Sequence, residues 1–200
     1  KVGAGSEHGV LLESVEGGER VGRWSFVVSD PLWTVTARGD RAEQVWRDGR
    51  RQPLSGNPFD LLRAALEPYH APAIPGLPPL GQLFGFWGYE LIRWIEPSVP
   101  VHPTDPAGPP DGCWMLADSL LAFDQVKRQI TAVAYVNLAA APGALPVDPE
   151  AAYAAAVARL DALEQRMHQP LPPGVAPLNW RDVPAIDLPT SSNRSREEFE

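Results

Sequence analysis

The chain has 200 residues, 44% of them hydrophobic, with 17 basic against 25 acidic side chains and a formal net charge of −8. That length supports a sizeable hydrophobic core, and the acidic balance argues against nucleic acid or an anionic membrane as the main partner. A single cysteine, Cys113, leaves no intrachain disulfide and points to a cytoplasmic setting, and no run approaches the ~18 consecutive apolar residues that span a bilayer.

Residues 9–12 and 23–29 read as two strands joined by a Gly- and Glu-rich loop at 15–22. Residues 32–38 alternate Trp33, Val35 and Ala37 against Thr34, Thr36 and Arg38, the period of a half-buried strand. Turn signals at Gly39-Asp40 and Asp48-Gly49 bracket 42–47, which predicts a meander of antiparallel strands. Asn57-Pro58 is a helix start: the Asn side chain accepts from a free backbone N–H, and Pro at the first helical position gives up no bond. Phe59, Leu62, Ala65 and Leu66 then share one face, and the helix must end before the Pro-rich run at 71–80. Residues 82–89 are expected to re-enter the core as an aromatic strand, in which Gly85 and Gly88 admit a close backbone neighbour.

A second Pro-rich connection occupies 97–111, after which 114–123 and 129–136 are expected to pair as a hairpin across 124–128. Asp148-Pro149-Glu150 opens the longest helix, at 149–167. The pattern is α+β, an antiparallel β-sheet core with flanking helices. Strand 82–89, the hairpin around Asp124 and the strand at Leu11-Leu12 are expected to share one continuous β-core, because strands this short need several neighbours. Three regions follow: 1–168, a Pro-rich linker at 169–192, and 193–200 as the truncated start of another domain, where Ser195 and Glu198 have capping-box spacing.

Catalytic chemistry is not legible. His8, His70, His102 and His168 are isolated and lack metal-ligand spacing. Glu90 and Glu96 flank Arg93, which predicts an ion-pair cluster rather than an acid–base pair. Trp24, Trp33, Trp87 and Trp94 are assigned to packing, and Gly85-Phe86-Trp87-Gly88 has no basic residue to serve a phosphate loop. The best chemistry is ligand binding. Leu11-Leu12-Glu13-Ser14 is a short apolar strand ending in a carboxylate and a hydroxyl, and Arg23-Trp24-Ser25-Phe26 follows nine residues later. A carboxylate pairs with the α-ammonium of an amino acid, and the hydroxyl completes its hydrogen bonds.

These segments resemble the tryptophan-sensing strands of anthranilate synthase component I, and the resemblance continues in order. It runs through Ser14-Val15-Glu16-Gly17-Gly18-Glu19-Arg20, Asn57-Pro58-Phe59, Gly85-Phe86-Trp87-Gly88-Tyr89-Glu90 and Asp118-Ser119-Leu120-Leu121-Ala122-Phe123-Asp124. The collinearity looks most like cyanobacterial members of the family. The resemblance implies an enzyme converting chorismate and ammonia, drawn from glutamine by an amidotransferase subunit, into anthranilate and pyruvate under feedback inhibition by L-tryptophan. It implies Leu12, Glu13, Ser14, Arg23, Trp24 and Ser25 as inhibitor contacts, with Trp24 standing where the family commonly has tyrosine. It places chorismate and Mg²⁺ on a downstream domain, so this chain is expected to be inactive alone and to carry no catalytic residue. The large subunit of aminodeoxychorismate synthase, which shares the architecture, and a free-standing amino-acid sensor are the competing readings.

Overall fold

The computed structural model describes residues 8–13, 22–78, 80–100, 108–138, 147–171, 191 and 195–199. The chain forms two compact units, Lys1–Pro170 and Leu171–Glu200. In the first, β1 (Gly9–Leu12), β2 (Trp24–Ser29), β8 (Ser119–Asp124) and β9 (Gln129–Ala134) make one sheet in the order β1-β2-β8-β9. A second sheet runs β5-β4-β3-β7-β6, from β3 (Trp33–Arg38), β4 (Arg41–Trp46), β5 (Arg51–Leu54), β6 (Leu83–Trp87) and β7 (Gly112–Leu116). Every pairing is antiparallel.

Alternation sorts the side chains into three apolar layers. Trp33, Val35, Trp114 and Leu116 share one face of the five-stranded sheet and pack with Leu62 of α1 (Pro58–Leu66) and Leu91 of a 3-10 helix at Tyr89–Trp94. From the other face of that sheet, Met115 and Phe84 join Val28, Leu120, Ala122 and Val133 of the four-stranded sheet. The remaining face of the four-stranded sheet, with Val27, Leu121 and Phe123, is covered by Leu163 and Met167 of α2 (Pro149–His168). Burying apolar area in these layers, at roughly 25 cal/mol per Å², is the main drive to the fold.

Several local expectations are met. The Asn57 side chain accepts from Phe59 N–H at 2.9 Å, and Asp148 caps α2 by accepting from Glu150 N–H at 3.0 Å. In the second unit, Ser195 and Glu198 form the reciprocal capping box ahead of α3 (Arg196–Phe199). A Cβ on Gly85 would stand 2.1 Å from the Cys113 carbonyl oxygen, and one on Gly88 would stand 2.8 Å from that of Asp111. Only glycine fits either position.

Three expectations are corrected. The strand expected at 114–123 breaks at Ala117-Asp118, so β7 and β8 lie in different sheets. A run that is apolar but for Asp118-Ser119 does not by itself reveal that its two halves serve different layers. The meander predicted around the turns at 39–40 and 48–49 forms as β3-β4-β5, but after Ser29, where Asp30 takes a positive φ of 52°, the chain passes from one sheet to the other. The single β-core is therefore two sheets sharing one apolar layer. Finally, Arg93 does not join the carboxylates of Glu90 and Glu96. It pairs with the buried Asp111 at 2.7 Å and donates to the backbone carbonyl of Glu90, while Glu96 accepts from Ser98.

The break at Ala117-Asp118 carries the main polar tie of the unit. Buried Asp118 takes a two-pronged pair from Arg47, which follows β4, with contacts of 2.8 and 3.0 Å. Arg159 of α2 lies 3.5 Å from the same carboxylate and donates to the Tyr135 carbonyl at 2.8 Å. One carboxylate thus joins both sheets and the long helix.

Candidate functional site

The edge strand β1 ends at Leu12, which the ladder sets directly opposite Phe26 of β2. Glu13 follows immediately and is exposed, Arg23 directly precedes β2, and Trp24 and Ser25 open that strand on the neighbouring register positions. The structure thereby brings five of the six expected residues to one end of the β1–β2 pair; Ser14 lies outside the described residues. They do not share a face. Trp24 and Phe26 point toward the apolar layer between the sheets, whereas Ser25 points to the opposite side, where it is buried and its hydroxyl accepts from Gln125 Nε2 at 3.2 Å.

The geometry of Arg23 is set by a residue that sequence reasoning did not single out. Asp124, directly across the ladder from Trp24, takes Arg23 Nε at 3.1 Å and Nη2 at 2.6 Å. Its Oδ1 also accepts the backbone N–H groups of Val126 and Lys127, closing the β8–β9 turn. This fork lays the guanidinium over the Trp24 ring, 5.0 Å from the centroid, an arrangement favoured by the ring quadrupole. The signal available in sequence was an aspartate opening a turn; that its partner lies 101 residues earlier was not.

The hydrogen bond from Arg23 and those from the turn amides outweigh burial and lower the Asp124 carboxyl from 3.8 to about 2. A carboxyl with a depressed folded value stabilises the fold fully above its unfolded value, and that contribution is lost as pH falls through the folded one. Wild type is therefore expected to lose stability more steeply than Asp124→Asn between 3.8 and about 2. Urea midpoints at stepped pH check this, and parallel curves for the two proteins would contradict it.

Glu13 is the exposed anion of the group, Leu12 is about half exposed, and Trp24 is partly buried. Among the described residues of the group there is no adjacent nucleophile and base. Among the described residues no group of three or more His, Cys, Asp or Glu has a geometry able to hold a metal ion, so Mg²⁺ is assigned to no residue here. Also among them, no helix is long and apolar enough to cross a membrane.

No family model matches the chain. Curated relatives do. Anthranilate synthase component 1 of Synechocystis is 46% identical over 203 aligned residues, covering all of this chain and 39% of that protein. The protein of the same name from Mycolicibacterium smegmatis is 36% identical over 168 residues, covering 83% of this chain and 31% of its own length. The chain thus spans between about a third and two fifths of these relatives. A crystal structure of anthranilate synthase component I from Streptococcus pneumoniae TIGR4 superposes with a TM-score of 0.56 at 22% identity, over 83% of this chain and 33% of that one. At that identity the likeness speaks for the fold alone.

Proposed function

The chain belongs to the anthranilate synthase component I family, of which it spans a section, and on that premise we propose that it is the tryptophan-sensing part of such an enzyme. The observation that carries the reading is the juxtaposition of Leu12 and Glu13 with Arg23 and Trp24 at one end of an antiparallel pair. Glu13 receives the α-ammonium of L-tryptophan, with the Ser14 hydroxyl completing its hydrogen bonds. Leu12 and Trp24 meet the indole, and Arg23, steadied by Asp124, frames the site. Ser25 acts from the other face as a support for β2 through Gln125.

In this reading the complete protein converts chorismate and ammonia into anthranilate and pyruvate, with a glutamine amidotransferase subunit supplying the ammonia. Chorismate and Mg²⁺ are held outside this chain, which by itself has no lyase activity. Tryptophan binding lowers activity through a coupling free energy between the two sites.

In the complete protein, Ser14→Phe is expected to abolish tryptophan inhibition while most synthase activity remains, because the ring fills the ligand's space and touches no chorismate. Ser14→Ala removes a hydrogen bond to a charged group, about 1.5–3 kcal/mol, and weakens inhibition roughly ten- to a hundredfold. Inhibition curves at matched chorismate, read by anthranilate fluorescence, test this. An unchanged inhibitor midpoint in a folded Ser14→Phe protein sinks the sensing role, and aminodeoxychorismate as the product sinks the reaction assignment.

A further inference from the structure

At the opposite end of β1 from Glu13, the first unit holds a cleft of about 530 Å³, a size suited to a small metabolite. Its lining gathers Arg47 and Arg51 from the five-stranded sheet's side and Arg159 and Arg166 from α2. In a chain of net charge −8, four guanidiniums around one concavity are a local reversal of sign. Among the described residues three carboxylates pair with them: Asp118 is shared by Arg47 and Arg159, Asp30 pairs with Arg166, and Glu43 pairs with Arg51.

Among the described residues Arg159 Nε is buried and makes no hydrogen bond, standing 3.5 Å from an Asp118 oxygen whose better contacts go to Arg47. Arg47 is committed as well, to Asp118 and to the carbonyls of Pro31 and Asp30. It forms a wall. Arg51 and Arg166 lie at the outer part of the cleft, each joined to a carboxylate that is itself about half exposed. Such exposed pairs are weak, so an incoming anion competes for their guanidiniums at little cost. A guanidinium presents paired N–H groups that match two oxygens of a phosphate or a carboxylate.

We propose that this cleft binds the oxyanion group of a small metabolite, a phosphate or a carboxylate, through Arg51, Arg166 and Arg159. The site shares no residue with the proposed tryptophan site and does not depend on it. It stands at the passage between β2 and β3, and its lining includes Arg47, the partner of Asp118.

Calorimetric titration of the full chain with inorganic phosphate, and separately with succinate, at constant ionic strength set by chloride, is the test. One-to-one binding of either anion is expected, weakened about tenfold or more in an Arg51→Gln/Arg166→Gln double variant, as loss of charged hydrogen bonds dictates. Phosphate alone assigns a phosphate ligand and succinate alone a carboxylate. The double variant removes two exposed pairs, so its unfolding midpoint should match wild type. Absence of binding by both anions, or binding undiminished in the double variant with an unchanged midpoint, overturns the proposal. Should that variant unfold, chloride against phosphate at equal ionic strength on wild type decides: equal heats overturn the site, and a phosphate- or succinate-specific heat supports it.

Discussion

Trp114→Ala is expected to remove about 3–5 kcal/mol of stability, the range for deleting a fully buried large aromatic side chain. The indole is 3% exposed and fills the layer between the five-stranded sheet and α1. It is also the base of an aromatic stack: Trp87 packs on it at 4.3 Å, and Phe59 of α1 lies over Trp87 at 4.2 Å with ring planes 19° apart. Truncation therefore loosens the seat of the helix as well as leaving a cavity. The room is made by glycine, since a Cβ on Gly112 would stand 2.2 Å from Trp114 Cη2. Trp114→Phe keeps an aromatic ring in that room and deletes an indole N–H that is buried without a partner among the described residues, so its cost should stay below about 1.5 kcal/mol. Urea unfolding followed by near-ultraviolet circular dichroism measures both. Equal losses for Ala and Phe would show that the ring's packing is not what counts.

Asp118→Ala is the second large effect, about 3 kcal/mol, or roughly 6–12 °C in Tm. Removing one partner of a buried ion pair leaves the others uncompensated, which commonly costs about 3–5 kcal/mol. The lower end applies because the Arg47 side chain is 41% exposed and can turn to water. Arg159, 25% exposed and bonded to the Tyr135 carbonyl, cannot turn as freely. As a contrast, Asp48→Ala breaks a pair in which both side chains are more than half exposed, so its Tm should barely move. If the two variants lost similar stability, Asp118 would be an ordinary surface partner rather than the tie between sheets and helix.

The same residues divide what was legible from what was not. Local chemistry in the sequence determined the helix starts at Asn57 and Asp148, the capping box at Ser195, and the alternation of Trp33, Val35 and Ala37. Each depends on neighbours within a turn or a strand, so the residues involved are adjacent in the chain. The α+β class followed from the same periodicities. The candidate ligand residues were legible through the ordered likeness of Leu11-Leu12-Glu13-Ser14 and Arg23-Trp24-Ser25 to a family. That likeness placed them together without specifying their faces.

Tertiary structure alone decided the rest. Residues 114–123 are apolar nearly throughout, and only packing against two different layers splits them at Ala117-Asp118. Arg93 chose Asp111, 18 residues on, over the carboxylates three residues to either side, because a buried carboxylate gains more from a guanidinium than a hydrated one does. Arg23 is aimed by Asp124 across 101 residues, and Asp118 draws Arg47 across 71. Pairings at that separation leave no periodic trace in the chain. They follow from which strands become neighbours, and that is fixed by burying all three apolar layers at once.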